Sequence, residues 1–207
     1  MKRMFSEVEM VRDVTICAKH LKGQSPPHHQ ILNRLLQDLI YEKACKEHGF
    51  YLGITALESI GNSKNNNDDN HQAELLTFPV SFTCRTFLPS RGDILQGVVR
   101  KVLWSGGARG VLIHCGPLRY AYLSRMKMPD YHFVQPETES EEEETPYFQR
   151  DDLTKISVGV IVRFAVLCHR FKEYSDKRRL DVYVLASVEG DDTLGPISLA
   201  GSERPCM

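Results

Sequence analysis

The chain opens on a strict alternation, with Met10, Arg12, Val14 and Ile16 on one parity and Val11, Asp13 and Thr15 on the other. That two-residue period predicts a strand from Met4 to Ile16 with one covered face. The period then lengthens. Ser25 can accept an amide hydrogen bond at a helix start, and Pro26 sits where its missing N–H costs nothing. Beyond them Leu32, Leu35, Leu36, Leu39, Ile40 and Ala44 recur at three-and-four spacing. The helix is expected to bury this stripe against a sheet, with Glu42 and Lys46 one turn apart and Gly49 providing a left-handed stop. Phe50 to Ile60 reads as a second strand, and Leu76, Phe78, Val80, Phe82, Cys84, Thr86 and Leu88 fill every second position of a third. Between them GNSKNNNDDNHQ has almost nothing to bury against its ordering entropy, so it is expected to form a mobile hairpin tip.

After a turn-rich junction from Pro89 to Gly92 the pattern becomes one of closely spaced strands with no amphipathic helix. The strands are expected at Asp93 to Trp104, Val111 to Cys115, Leu118 to Leu123, Val158 to Cys168 and Leu180 to Val188. Five strands fit an OB barrel, and Gly97 offers the kink that closure needs. The chain therefore reads as α+β followed by all-β, with domains at 1–89 and 90–207. An acidic insert at 136–146 carries Glu137, Glu139, Glu141, Glu142, Glu143 and Glu144, whose mutual repulsion favours an extended segment. It reads either as a segment that competes with nucleic acid for a basic face or repels it from the wrong side, or, the favoured reading, as a solvated loop.

Composition adds exclusions. With 207 residues, 42% hydrophobic and 26% charged, the chain is neither collagen-like nor wholly disordered. Its 26 Lys and Arg against 27 Asp and Glu leave a net charge of -1, so any attraction to nucleic acid must come from local patches. No apolar run approaches the ~20 residues that span a bilayer, and MKRMFSEVEMVRD turns charged before a signal-peptide core can form, so a soluble intracellular chain without membrane partners is expected. Six cysteines lie far apart with no CxxC, which suits reduced thiols better than a bridge framework or a zinc site.

Enzyme chemistry finds no support in motifs. GxSxG, HExxH, GxxxxGK[ST] and a strand-coupled GxGxxG are all missing, and WSGGARG joins two expected strands without opening a helix, so it reads as a tight turn. His114 and Cys115, adjacent on a strand, point to opposite faces and cannot easily clasp one ion. Neither a metal nor a cofactor is expected. Nucleic-acid binding is better supported, because OB barrels stack bases on a strand face while cations follow the backbone. Lys101, Trp104 and Arg109 flank the first barrel turn, Arg119, Tyr120 and Tyr122 lie on the third strand, and Lys177, Arg178 and Arg179 lead into the fifth. The competing reading is that Tyr120 or Tyr122 fills the barrel core and that Lys177 to Arg179 is a solvated hairpin. Sequence alone does not choose.

RGDILQGVVRKVLWSGGARGVLIHCGPLRYAYLSRMKMP resembles an S1-type OB-fold, which opens on a G-D/E-hydrophobic-hydrophobic-x-G-x-V strand. The strand-helix-strand-strand domain before it, GPLRYAYLSRMKMPDYHF within it, TPYFQRDD after the insert and DDTLGPI near the end make a more specific combination. Together they resemble the seventh-subunit, or stalk, family of multisubunit DNA-dependent RNA polymerases, from about Met4 to Ile197. YLSRMKMPDY and TPYF are most similar to the seventh subunit of plant RNA polymerases IV and V.

The resemblance implies a truncated RNP-like docking domain followed by an S1-type OB-fold. It implies a noncatalytic nuclear subunit acting in RNA-directed DNA methylation and small-RNA silencing, with the polymerase active site in other subunits. The first domain would dock on the polymerase core, including its largest subunits, near the clamp and the RNA exit. Its tip would comprise Lys22, Gly23, Gln24 and Ser25 of one turn and Asn62 and Lys64 of the hairpin. A small helical partner subunit would pair along an open edge of the first sheet and those apolar residues of Phe78 to Phe87 not used in its own core. The barrel would contact nascent single-stranded RNA. Many S1-type domains carry a Phe at the turn into the second strand and a His in the third. Here Ala108-Arg109-Gly110 and Ala121-Tyr122-Leu123 stand in those places, which shifts the expected contact to Arg109, Arg119 and Tyr120. The alternatives are the equivalent subunit of RNA polymerase II and a free OB-fold RNA-binding adaptor.

Overall fold

A computed structural model describes residues 4–17, 28–66, 75–104, 109–135, 145–175 and 178–197. Those up to Leu88, together with those of Glu173–Asp181, form one compact unit, and those of Pro89–Lys172 and from Val182 onward form a second. None of the described helices is long and apolar enough to cross a membrane.

The first unit contains strand β1 (Phe5–Cys17), helix α1 (His28–Glu42), and strands β2 (Ala44–Cys45), β3 (Gly49–Ile60), β4 (Lys64–Asn66) and β5 (Leu75–Phe87). The sheet runs β1-β5-β3-β2, with β4 also on β5. β1 and β5 are antiparallel over their whole lengths, from Phe5 opposite Phe87 to Cys17 opposite Leu75. The alternation in the chain is what the sheet uses. Val14 and Ile16 of β1 and Phe78, Val80, Phe82 and Cys84 of β5 meet Ile31, Leu35 and Leu39 of α1 in one core.

Four expectations are corrected here. The helix buries a narrower stripe, since Ile31 is fully enclosed while Ile40 is 74% exposed. The helix also stops earlier than Gly49. Lys43, at φ 65, takes the left-handed position and its amide donates to Leu39 O at 2.9 Å, while Gly49 makes the later turn into β3. Within the polar hairpin, Lys64–Asn66 pairs with Leu75–Thr77, because β5 continues past the end of β3 and offers main-chain partners that need no apolar side chain. Finally, β5 is central and Phe78, Val80, Phe82, Cys84 and Phe87 are all buried inside the unit, so they form no seam for a partner. Lys22, Gly23, Gln24 and Ser25 lie outside the described residues. Asn62 and Lys64 are described and exposed.

In the second unit β6 (Ile94–Leu103), β7 (Gly110–Cys115) and β8 (Leu118–Ser124) run antiparallel in sequence. β13 (Leu180–Ser187) joins β8 in parallel, and β12 (Ile161–Glu173) joins β6. A β12–β13 pairing closes the ring, and β14 (Gly195–Pro196) adds to β12. Five strands closed in this order, with the third and fifth parallel, make an OB barrel. Val99, Val111, Ile113, Ala121, Leu123, Val162, Phe164, Val182 and Ala186 fill its interior. Gly97 is required there: a Cβ would collide with His114 O and lie 2.7 Å from Ile113 Cγ2. A small second sheet, β11-β10-β9, is built from β9 (His132–Val134), β10 (Tyr147–Gln149) and β11 (Lys155–Ile156). Sequence reading did not anticipate it, because strands of two or three residues are too short to show a period. Most of the acidic insert, 136–144, lies outside the described residues.

Candidate nucleic-acid interface

β8 decides the orientation of the third-strand aromatics. Ala121 and Leu123 are fully buried inside the barrel, so Tyr120 and Tyr122 face outward, each half-buried by neighbours on the outer surface. Neither tyrosine fills the core. Register across the outer face puts Lys101 of β6 opposite Leu112 of β7, Leu112 opposite Tyr122, and Tyr122 opposite Leu185 of β13. In the next row Tyr120 stands opposite Tyr183, and the two rings stack at 4.6 Å and 3°. Lys172 lies 5.7 Å from the Tyr183 ring. Arg119 and Lys101 are exposed.

A denser cluster forms where β6 ends. Trp104 stacks on Phe133 of β9 with centroids 3.8 Å apart and an interplanar angle of 1°, and Phe148 of β10 meets it edge-on at 6.1 Å. Two guanidiniums stand over the same indole: Arg109 at 4.9 Å and Arg125 at 5.7 Å from its centroid. The main chain holds both. Arg109 O accepts from Arg125 N at 2.9 Å and from the Tyr122 hydroxyl at 2.9 Å. Arg125 opens a single 3-10 turn, Arg125–Lys127, capped by Ser124 Oγ, which accepts from Met126 N. Lys127 in that turn is tied to Glu189 at 2.9 Å. By contrast Arg109 and Arg125 are exposed and have no carboxylate within ion-pair reach among the described residues.

His114 adds a third basic feature. It points outward from β7, and burial first, then Arg100 and Arg119, hold its imidazole below the usual titration range. Arg178 belongs to the first unit, where it pairs with Asp38 at 3.8 Å and lies over the Tyr41 ring, and Arg179 lies 4.6 Å from the Tyr174 ring. Lys177 lies outside the described residues. Among the described residues, no group of three or more His, Cys, Asp or Glu side chains is placed to hold a metal ion.

Lys101 on β6, Trp104 at its end, Arg109 just before β7 and Arg119, Tyr120 and Tyr122 on β8 thus belong to neighbouring strands of one sheet. Sequence reading missed Arg125, Phe133, Tyr183 and Arg100. Tyr183 had a signal, since it alternates with Val182 and Val184 on a strand already recognised. Arg125 had none, because a single 3-10 turn leaves no periodicity.

The architecture defines a two-part protein, a helix-backed sheet followed by an OB barrel with a basic and aromatic outer face. No protein-family model matches the chain. Among curated proteins, an Arabidopsis thaliana "DNA-directed RNA polymerase subunit 7-like protein" is 69% identical over 99% of this chain and 100% of its own length. The Arabidopsis "DNA-directed RNA polymerase V subunit 7" is 36% identical over 94% of this chain and 99% of its own. The corresponding polymerase IV subunit 7 is 36% identical over 93% and 99%. The chain belongs to the seventh-subunit family of DNA-directed RNA polymerases.

Proposed function

We propose that this chain is the noncatalytic stalk subunit of a nuclear DNA-dependent RNA polymerase of the plant IV/V type, acting in RNA-directed DNA methylation and small-RNA silencing. The first unit docks on the core near the clamp and RNA exit, and the barrel contacts nascent single-stranded RNA. The observation that carries the reading is end-to-end similarity to seventh subunits of both polymerases. The outer-face cluster at Trp104, Arg109 and Tyr122 supports the RNA contact, since strands and loops of this part of an OB barrel are where oligonucleotides lie.

A small helical partner subunit covers the first sheet at an open edge. β1 supports this role: it pairs with β5 on one side only among the described residues, and Val11 on it is 68% exposed. Long uncovered edges favour strand addition or cover.

Purification of the tagged chain from its source nuclei, with mass spectrometry of the largest co-purifying subunits, tests the assignment. Catalytic subunits of polymerase IV or V are the expected result. Polymerase II subunits would move the same architecture to another enzyme, and the lack of any polymerase would leave a free RNA-binding adaptor.

A further inference from the structure

We propose that Arg109 and Arg125, held over the Trp104 indole, form a phosphodiester grip through which the barrel holds single-stranded RNA by its backbone, with Trp104 as the support of the grip and not a base platform. This rests on the reading that the barrel contacts RNA.

The first argument is access. The gap of 3.8 Å between Trp104 and Phe133 at 1° is already filled by stacking, so no base enters it. A guanidinium cannot enter that gap either, so Arg109 and Arg125, at 4.9 and 5.7 Å from the indole centroid, approach the ring from outside the stack. Tyr120 is likewise stacked on Tyr183. Two of the three candidate base platforms, Trp104 and Tyr120, are thus each engaged by a neighbouring ring.

The second argument is charge. Two like charges drawn to one ring repel, and the described residues supply neither with a carboxylate. Lys127, two residues from Arg125, shows the contrast, because it has Glu189. The main chain nevertheless fixes the pair: Arg125 N donates to Arg109 O at 2.9 Å, and Tyr122 Oη donates to the same carbonyl. A preorganised pair of forked, permanently charged donors suits the paired oxygens of a phosphate. Phosphate contacts position a strand without reading its sequence, so recognition here is indifferent to base identity.

The test is fluorescence anisotropy of labelled oligouridylate, and of an abasic oligomer of the same length, titrated with the full chain over a salt series. Each phosphate contact on a single strand adds about 0.7 to the steepness of log K against log salt. Arg109→Gln and Arg125→Gln are each expected to remove about 0.7, and the double variant about 1.4, on both oligomers. Arg125→Lys restores the slope by keeping the charge, which separates contact from folding. An unchanged slope for Arg125→Gln in a chain that still binds RNA overturns the grip and leaves the RNA reading standing. Sensitivity on oligouridylate but not on the abasic oligomer overturns the phosphate assignment in favour of base contact. Absence of binding by the parent chain at low salt overturns both.

Discussion

Arg109 and Arg125 are joined through the main chain: the amide of Arg125, just after β8, donates to the carbonyl of Arg109, just before β7, at 2.9 Å. Tyr122 completes the arrangement by donating its hydroxyl to the same oxygen at 2.9 Å. A carbonyl with two donors fixes where both guanidiniums leave the backbone. Tyr122→Phe removes one donor and leaves the ring and the Arg125 amide in place. The expected loss is about 1 kcal/mol, the ordinary net value of one hydrogen bond. It is measured as a lower urea midpoint with an unchanged slope; a changed slope would mean that the variant alters the extent of unfolding instead.

Gly97 sets how closely β6 approaches β7. A methyl group there would collide with His114 O and sit 2.7 Å from Ile113 Cγ2, and neither the main chain of β7 nor a fully buried Ile113 can move aside freely. Gly97→Ala is expected to destabilise the barrel by about 2 kcal/mol, within the range for overpacking a dense core. Gly92→Ala is the useful comparison, because φ is +89 there but the space is open. It strains only its own backbone, at a cost of about 1 kcal/mol. Equal losses in thermal unfolding would refute the steric account of Gly97.

Lys43 poses two opposed effects at one residue. Its φ of 65 favours glycine, worth about 1 kcal/mol, yet its ammonium lies 3.6 Å from Asp181, whose side chain is almost wholly enclosed. Removing one partner of a buried carboxylate costs about 1.5–3 kcal/mol. The second effect is larger, so Lys43→Gly is expected to destabilise the first unit by about 1 kcal/mol net. Equilibrium unfolding showing a gain in stability would mean that the ion pair contributes little.

What the sequence revealed follows from this kind of local accounting. β1, β5 and the five barrel strands were legible because residues such as Val14, Phe82, Val99, Ile113, Leu123 and Phe164 alternate over long runs, and a period survives without knowledge of the partner strand. The end of α1 was not legible, because Lys43 is held in the left-handed position by partners as distant in sequence as Asp181. The same holds at the candidate interface. Trp104, Arg109 and Tyr122 could be picked out as aromatic and basic residues near one turn. Phe133 and Arg125 reach the indole only through the path of β8 and β9, which no local pattern encodes. The outward orientation of Tyr120 and Tyr122 was settled by Ala121 and Leu123, which fill the interior instead.

His114 offers a pH readout of the outer face. Burial, then Arg100 on β6 and Arg119 on β8, lower its pKa from the ordinary 6.5, so the folded imidazole stays neutral where the unfolded one has begun to bind a proton. The unfolded chain therefore binds more protons just below that value. Stability rises with pH through this window and is lost as pH falls from about 6.5 toward the lower folded pKa. His114→Gln is expected to flatten that limb of the stability profile, measured by urea unfolding across the acidic range. A phosphate laid beside Arg100 and Arg119 offsets the charges that disfavour protonation and raises the His114 pKa, so binding takes up a proton. Affinity for oligouridylate is then expected to strengthen as pH falls below about 6.5 in the parent chain and to lose that dependence in His114→Gln. A parent chain whose affinity is flat across this range would place the RNA path away from the β6–β7–β8 row, leaving the Trp104 cluster as the contact.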